Sequence, residues 1–231
     1  MNPPTTRVAV LVSGGGTNLQ TLMDRIREGR LPGVRIACVL ASRDGTLAEE
    51  RARKAGIPVA VTHRRDLPDD DAHDRALLSG IDRLAGGNVD LVVLAGYLTR
   101  LGPRFLSAYP GRILNVHPAL IPAFCGPGQY GIRPHEAVLD AGVRITGATV
   151  HFVDGEYDTG PIILQKAVEV RQDDTPRTLQ LRVMQEAEQV LLPEAVRLFA
   201  EGRIRIEGRR VRILPEQEQW TGQGTEDRKE S

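Results

Sequence analysis

Short, almost wholly apolar runs, separated by helical patterns, dominate the first half of the chain. The four clearest runs cover residues 7–12, 34–40, 89–97 and 113–117. Apolar runs of this length are typical of strands that are buried on both faces of a parallel sheet. Because helical periodicity separates the runs, the sequence predicts an α/β protein with an open, doubly wound, mostly parallel sheet.

The second half of the chain predicts loops, two further strands and one long helix. The expected elements are a mobile glycine-rich loop at 123–131, a short helix at 135–141, strands at 147–153 and 162–170, an amphipathic helix at 178–200 and a β-hairpin at 203–213. Pro193 is expected to kink or divide the long helix, because proline has no N–H to donate. We expect one domain over residues 1–214, followed by a polar tail at 215–231.

Charge and cysteine content exclude several classes of function. The chain carries 30 basic and 30 acidic residues, so its formal net charge is zero, and we expect neither nucleic acid nor a membrane as a partner. Its two cysteines form no disulfide framework or zinc pattern, which favours a reducing, cytoplasmic location. No apolar run is long enough to cross a membrane. Any anion site must therefore be local.

The glycine-rich stretch at residues 13–18, Ser-Gly-Gly-Gly-Thr-Asn, joins the first strand to the first helix. This arrangement directs backbone N–H groups and the positive end of a helix dipole at an anion, so we predict a phosphate site. A tight turn that needs glycine only for its backbone angles is the alternative. Leu19 replaces the third glycine of the dinucleotide motif, so a sugar phosphate or nucleotide monophosphate is the favoured ligand. NADP stays an alternative, because Ser42 and Arg43 follow the second strand and could hold its 2′-phosphate. A bulky residue at Gly16 is expected to block the phosphate.

Asn115 and His117 are predicted to lie at the carboxyl end of a buried strand. Side chains two residues apart on a strand project from the same side, and an amide beside an imidazole can stabilise an oxyanion and move a proton. A pair that merely satisfies a turn is the alternative. In doubly wound sheets, ligands bind beyond the carboxyl ends of the strands. We therefore expect this pair, the glycine-rich stretch and residues 96–101 to converge on one crevice.

The acidic turn at residues 154–158 contributes three further carboxylates. They are either solvated or, if the turn faces the same crevice, one of them orients His117 and favours its protonated form. Three other histidines receive no chemical role. We expect His151 to be a buried structural residue, and His63 and His73 to lie on the surface.

Three stretches in a fixed order carry a resemblance to a known family. They are Ser13-Gly-Gly-Gly-Thr-Asn18, Leu114-Asn-Val-His-Pro118 with Leu120-Ile-Pro122, and His151-Phe-Val followed by Asp158-x-Gly-Pro161. Together they resemble the phosphoribosylglycinamide formyltransferases, folate-dependent enzymes of purine biosynthesis. The resemblance implies a Rossmann-like formyltransferase fold and transfer of a formyl group from 10-formyltetrahydrofolate to the amino group of glycinamide ribonucleotide. Such an acyl transfer requires no metal, and we expect a monomer or homodimer.

The resemblance also implies roles for individual residues. It assigns the substrate phosphate to Gly15, Gly16, Thr17 and Asn18, and catalysis to Asn115, His117 and Asp158. It assigns the folate to Leu98, Thr99, Arg100, Leu101, Asn115, Asp154, Gly155, Glu156, Tyr157 and Asp158. A helix glutamate that contacts the ribonucleotide corresponds to Glu188, with Glu186 as a competitor, because the helix spacing is one residue longer than usual. The chain would then divide into a phosphate-binding half at 7–112 and a catalytic and folate-binding half at 113–214.

Two departures from the family and three rival functions stay open. Family members often carry an arginine near Asp70, so Arg64 or Arg65 would have to replace it, unless the folate tail is held differently. The loop from Phe124 to Arg133 is also longer than in some relatives. One rival, a methionyl-tRNA formyltransferase, would need a further domain and a basic face. A formyltetrahydrofolate hydrolase would need no glycine phosphate loop. A non-catalytic NADP- or nucleotide-binding module would not require the catalytic residues to meet.

Overall fold

A seven-stranded sheet forms the centre of the computed structural model, which describes residues 5–216. The strand order is β3-β2-β1-β4-β5-β6-β7. Strands β1 to β5 pair in parallel, whereas β6 and β7 are antiparallel. The strands are β1 (Thr6–Val12), β2 (Val34–Ala41), β3 (Val59–Val61), β4 (Leu91–Leu94), β5 (Ile113–His117), β6 (Ile145–Phe152) and β7 (Ile162–Glu169). The predicted open, mostly parallel sheet is confirmed.

Helices cover both faces of this sheet, which explains why central strands such as β1 and β4 are almost wholly apolar. Successive residues of β1 enter opposite cores: Val8 and Val10 pack on one side, and Ala9 and Leu11 on the other. The helices are α1 (Thr17–Arg27), α2 (Leu47–Lys54), α3 (Asp70–Ala85), α4 (Pro103–Ala108), α5 (Arg133–Asp140), α6 (Pro176–Val183) and α7 (Gln189–Ala200), with a 3₁₀ turn at Arg64–Asp66. A β-hairpin follows, formed by β8 (Ile204–Glu207) and β9 (Arg210–Ile213).

The long C-terminal helix is divided, although not at the predicted residue. A π-helical turn at Met184–Glu188 separates α6 from α7, and there the Gln189 N–H bonds to the Met184 carbonyl, five residues earlier. Pro193 lies inside α7, about one turn later. A π turn accommodates one extra residue in a helix, which accounts for the longer spacing noted in the sequence.

Two smaller predictions need correction. His73 is fully buried rather than on the surface, because it lies on the inner stripe of α3 with Leu77 and Ile81, and it bonds to the Tyr97 hydroxyl at 3.1 Å. The strand predicted at 89–97 extends only over Leu91–Leu94.

None of the helices within residues 5–216 is long and apolar enough to cross a membrane. Residues 217–231 of the predicted tail lie outside the described residues.

Candidate active site

A cavity of about 650 Å³ opens beyond the carboxyl ends of β1, β4 and β5. This is the position where open α/β sheets bind their ligands. The cavity is lined by every residue that the sequence predicted for the site, namely Gly15, Gly16, Thr17, Asn18, Leu98, Thr99, Arg100, Leu101, Asn115, His117, Asp154, Gly155, Glu156, Tyr157, Asp158 and Glu188. The fold thus brings together segments that are up to 173 residues apart in the sequence (188 minus 15).

One end of the cavity is formed by the turn between β1 and α1. Gly16 is the N-terminal capping residue of α1, has φ 69°, and supplies no side chain to cap the helix. The N–H groups of the first turn therefore remain available to an anion. A Cβ on Gly16 would lie 2.6 Å from the Cβ of Ala48 in α2, whereas a Cβ on Gly15 would meet nothing within 4 Å. Bulk at Gly16 would thus strike α2, and the expectation that it also blocks the phosphate stays a prediction.

Glu188 reaches this end of the cavity from the C-terminal helix. Its Oε2 accepts a hydrogen bond from Asn18 Nδ2 at 2.7 Å, and both residues are buried. Burial raises the pKa of Glu188, and the hydrogen bond from Asn18 only partly offsets this effect. Glu186 is exposed and lies outside the cavity lining. Because the π turn shifts the residues after it around the helix axis, Glu188 rather than Glu186 faces the cavity.

The other end of the cavity holds His117 between two partners. Its Nε2 lies 2.9 Å from the Phe124 carbonyl oxygen, and its Nδ1 lies 3.5 Å from Asp158 Oδ2. A carbonyl oxygen can only accept, so Nε2 carries a hydrogen. Burial lowers the pKa of His117 and outweighs the raising effects of the Asp158 carboxylate and the Phe124 carbonyl. The expectation that a carboxylate favours the protonated ring is therefore right for that one interaction, but burial decides the net direction.

Asp158 connects the catalytic candidates to the glycine-rich loop at residues 123–131. Burial alone would raise its pKa, but the nearby His151 ring, 3.6 Å away, the charge of His117 and the Gly126 N–H together hold the pKa below its usual value. The Gly126 N–H donates to Asp158 Oδ2 at 2.9 Å. Asp158 and Phe124 both have positive φ angles, 56° and 51°. Such conformations cost about 1–3 kcal/mol each in non-glycine residues and tend to mark functional sites.

His151 belongs to the same network, a role that the sequence analysis missed. It lies directly opposite Asn115 in the antiparallel pairing of β5 with β6. The Asn115 Nδ2 atom is 3.1 Å from His151 Nε2 and 3.5 Å from Asp158 Oδ1. His151 is buried, as expected, yet it also contacts the proposed catalytic amide. The signals in the sequence were a histidine between Val150 and Phe152 and its place in the His151-Phe-Val stretch of the resemblance, and the strand pairing was needed to interpret them.

His135 is a second residue that the sequence analysis did not select. It lies on α5, lines the cavity and is fully buried. Within residues 5–216, neither of its ring nitrogens has a hydrogen-bond partner. Burial, helped by the charge of the nearby His117, lowers the pKa of His135 to about 4. This ring is therefore neutral near pH 7.

The two segments predicted to hold folate form one wall of the cavity. Arg100 joins them, because its guanidinium donates to the Gly155 carbonyl at 3.0 Å and lies 5.8 Å from the centre of the Tyr157 ring. Arg64 instead bonds to Asp70 at 2.9 Å and lies outside the cavity lining, as does Arg65. Across residues 5–216, no group of three or more His, Cys, Asp or Glu side chains is arranged to hold a metal ion.

Comparison with known proteins agrees with this geometry. Residues 6–196 match the family described as formyl transferase. The chain is 43% identical over 203 residues to the chloroplastic phosphoribosylglycinamide formyltransferase of Arabidopsis thaliana, covering 88% of this chain and 68% of that protein. It is 38% identical to the phosphoribosylglycinamide formyltransferase of Haemophilus influenzae, covering 87% and 90%. The crystal structure of glycinamide ribonucleotide transformylase 1 from Symbiobacterium toebii superposes with a TM-score of 0.84 at 46% identity, covering 91% and 95%. The chain belongs to the formyl transferase family.

Proposed function

We propose that this chain transfers the formyl group of 10-formyltetrahydrofolate to the amino group of glycinamide ribonucleotide, a step of purine biosynthesis. One observation carries the proposal: a single cavity is lined both by the glycine turn at the start of α1 and by Asn115, His117 and Asp158. A substrate with a phosphate at one end and a nucleophilic amine at the other would span it. The named relatives support the same activity.

The ribonucleotide would bind between the glycine-rich turn and the C-terminal helix. The N–H groups at the start of α1, including those of Thr17 and Asn18, would hold the phosphate, because a helix N-terminus favours negative charge. Glu188 would accept hydrogen bonds from the sugar. It is already oriented by Asn18, so little side-chain entropy remains to be lost on binding.

The formyl folate would act as a co-substrate along the wall formed by residues 98–101 and 154–158. Leu98 and Tyr157 are half exposed there and offer apolar surface to a planar ring. Arg100 joins the two segments and so fixes the width of the wall. The division of the chain into a phosphate-binding half and a catalytic half stays a prediction, since residues 98–101 of the first half are assigned to the folate.

The reaction would be a direct acyl transfer. The substrate amine attacks the formyl carbon, an oxyanion develops on the formyl oxygen, and the bond to the folate nitrogen then breaks. The amine loses one proton, and the departing folate nitrogen gains one. Asn115 would donate to the oxyanion, and protonated His117 would do so once its Nε2–H turns from the Phe124 carbonyl to the formyl oxygen. Asp158 would hold the other ring nitrogen of His117 and balance its charge. A lowered pKa makes protonated His117 a stronger acid, which suits it to deliver the proton to the leaving nitrogen.

A single assay tests the proposal against its rivals. The purified chain is incubated with 10-formyltetrahydrofolate, with and without glycinamide ribonucleotide, and the release of tetrahydrofolate is followed. A transferase releases tetrahydrofolate only when both substrates are present, and formylated ribonucleotide appears in equal amount. Release without the ribonucleotide would indicate a hydrolase instead. Ribonucleotide binding without any release would indicate a non-catalytic nucleotide-binding module.

A further inference from the structure

The hydrogen bonds of His151 determine where its ring proton lies. His151 Nδ1 is 2.8 Å from the Phe152 carbonyl oxygen. Because a carbonyl oxygen accepts but never donates, Nδ1 must carry a hydrogen. A neutral imidazole has one N–H, so Nε2 is then a bare acceptor. The environment on the β7 side is apolar, since the register partner of His151 there is Ile162.

The bare Nε2 in turn determines how the Asn115 amide is oriented. Asn115 Nδ2 lies 3.1 Å from His151 Nε2 and 3.5 Å from Asp158 Oδ1, so both of its hydrogens are directed at acceptors that themselves line the cavity. The amide oxygen is then the polar atom of Asn115 that remains for a ligand in this cavity. In this arrangement Asn115 offers the reacting carbon an acceptor, which suits the attacking amine. An oxyanion, however, requires a donor.

A hydrogen on His151 Nε2 would reverse this orientation. With Nε2 protonated, the ring donates to the Asn115 oxygen once the amide has rotated by half a turn, and the amide N–H then faces the cavity. Asp158 Oδ1 lies 3.6 Å from Nε2 and supplies the opposite charge. The other oxygen of the same carboxylate faces His117. The single carboxylate of Asp158 therefore faces the rings of both His117 and His151.

We propose that His151 is a positioning residue which, through Nε2, selects whether Asn115 presents its amide oxygen or its N–H to the reacting carbon. The inference rests on the proposed function and deepens it, because it gives the condition under which Asn115 becomes an oxyanion donor. Misplacement of a catalytic group by about 1 Å can cost up to about 10²-fold in rate. His151 should therefore affect kcat much more than the KM of either substrate.

Two amide substitutions separate the ring nitrogens of His151. His151→Gln places an amide near the position of Nε2 and loses the Nδ1 donor, whereas His151→Asn retains a donor toward Phe152 and loses Nε2. We expect His151→Gln to keep kcat within about tenfold of wild type and His151→Asn to lose up to about 10²-fold, with both KM values nearly unchanged. A merely structural histidine would show equal losses in the two variants, and that result would overturn the proposal.

A double-mutant cycle tests whether the effect passes through Asn115. In an Asn115→Ala background, His151→Asn should lower kcat by no more than about two- to threefold, because the residue that it positions is already absent. A full further loss in that background would contradict the proposal. If wild type releases no tetrahydrofolate in the presence of both substrates, the proposed function itself fails, which is a distinguishable outcome.

Nuclear magnetic resonance of the wild-type chain gives a readout that needs no substitution. Long-range ¹H–¹⁵N spectra distinguish protonated from bare ring nitrogens. In the free protein we expect His151 to carry its proton on Nδ1, with Nε2 bare when the ring is neutral. A neutral ring protonated on Nε2 alone would contradict the inference, whatever the stability of the variants.

Discussion

The two ends of the cavity are built on different principles. The phosphate end is mainly backbone: a glycine turn, the free N–H groups of α1 and one buried carboxyl group, Glu188. The acyl-transfer end is a network of side chains in which Asn115, His117 and His151 all approach Asp158. Backbone donors are fixed by the path of the chain, whereas each member of a side-chain network depends on the others. Substitutions should therefore affect binding at the first end and turnover at the second.

The largest effects are expected at the acyl-transfer end. Asn115→Ala and His117→Ala should each lower kcat by at least about 10²-fold, because one oxyanion donor is typically worth 10²–10³ and acid–base help 10²–10⁴. Steady-state kinetics together with circular dichroism would check this result in folded protein. His63→Ala is a matched control, since His63 also contacts an aspartate, Asp44, but lies outside the cavity lining. Near wild-type turnover in either cavity variant would show that the assignment is wrong.

The two neighbouring glycines of the phosphate turn should respond differently to the same substitution. Gly16→Ala places a Cβ against Ala48 and strains a positive φ angle, so we expect the free energy of unfolding to fall by about 2 kcal/mol or more. Gly15→Ala adds a methyl group to open space and should leave stability within about 0.5 kcal/mol. It should instead raise the KM for the ribonucleotide, by about tenfold if about 1.4 kcal/mol of binding is lost. Urea unfolding and kinetics measure both effects, and equal loss of stability in the two variants would refute this distinction.

The pH dependence of turnover should follow His117 and Asp158. The protonated ring is the form proposed to act, and burial lowers the pKa of His117 below its usual 6.5. The contribution of protonated His117 should therefore rise as pH falls through the His117 pKa, while the attacking amine loses reactivity as it becomes protonated, so the single-turnover rate should pass through a maximum. Protonation of Asp158 follows at lower pH, because the pKa of this carboxyl group lies below its usual value. Asp158→Asn removes a charge that raises the pKa of His117, so the midpoint of the remaining activity should move to lower pH. A midpoint above that of wild type would contradict this account.

The contrast between backbone turns and side-chain networks also explains how much of the fold and the site the sequence could predict. The doubly wound sheet, the glycine turn and the Asn115–His117 pair follow from local patterns, because strand runs, glycine turns and alternation along a strand are properties of neighbouring residues. His151 was missed because its contact with Asn115 arises from antiparallel pairing between strands that begin 32 residues apart (145 minus 113). The choice of Glu188 over Glu186 depended on a π turn, which sequence periodicity does not reveal.

Glu188 combines the characters of the two ends. Burial raises the pKa of this carboxyl group above its usual 4.5. A folded-state pKa that is raised means that the ionised group opposes folding at every pH above the unfolded value. Glu188→Gln keeps the shape and an acceptor for Asn18 but removes the charge. It should therefore increase the free energy of unfolding by on the order of 1 kcal/mol at neutral pH.

This gain in stability should come with weaker substrate binding. The gain should vanish below about pH 4.5, where wild-type Glu188 is also neutral. Hydrogen bonds to a charged group are worth about 1.5–3 kcal/mol, so the KM for the ribonucleotide should rise by roughly tenfold or more while kcat stays near that of wild type. Urea unfolding at both pH values and steady-state kinetics measure these quantities. A variant that is less stable at neutral pH, or that binds the ribonucleotide unchanged, would show that the buried carboxyl group serves the fold rather than the substrate.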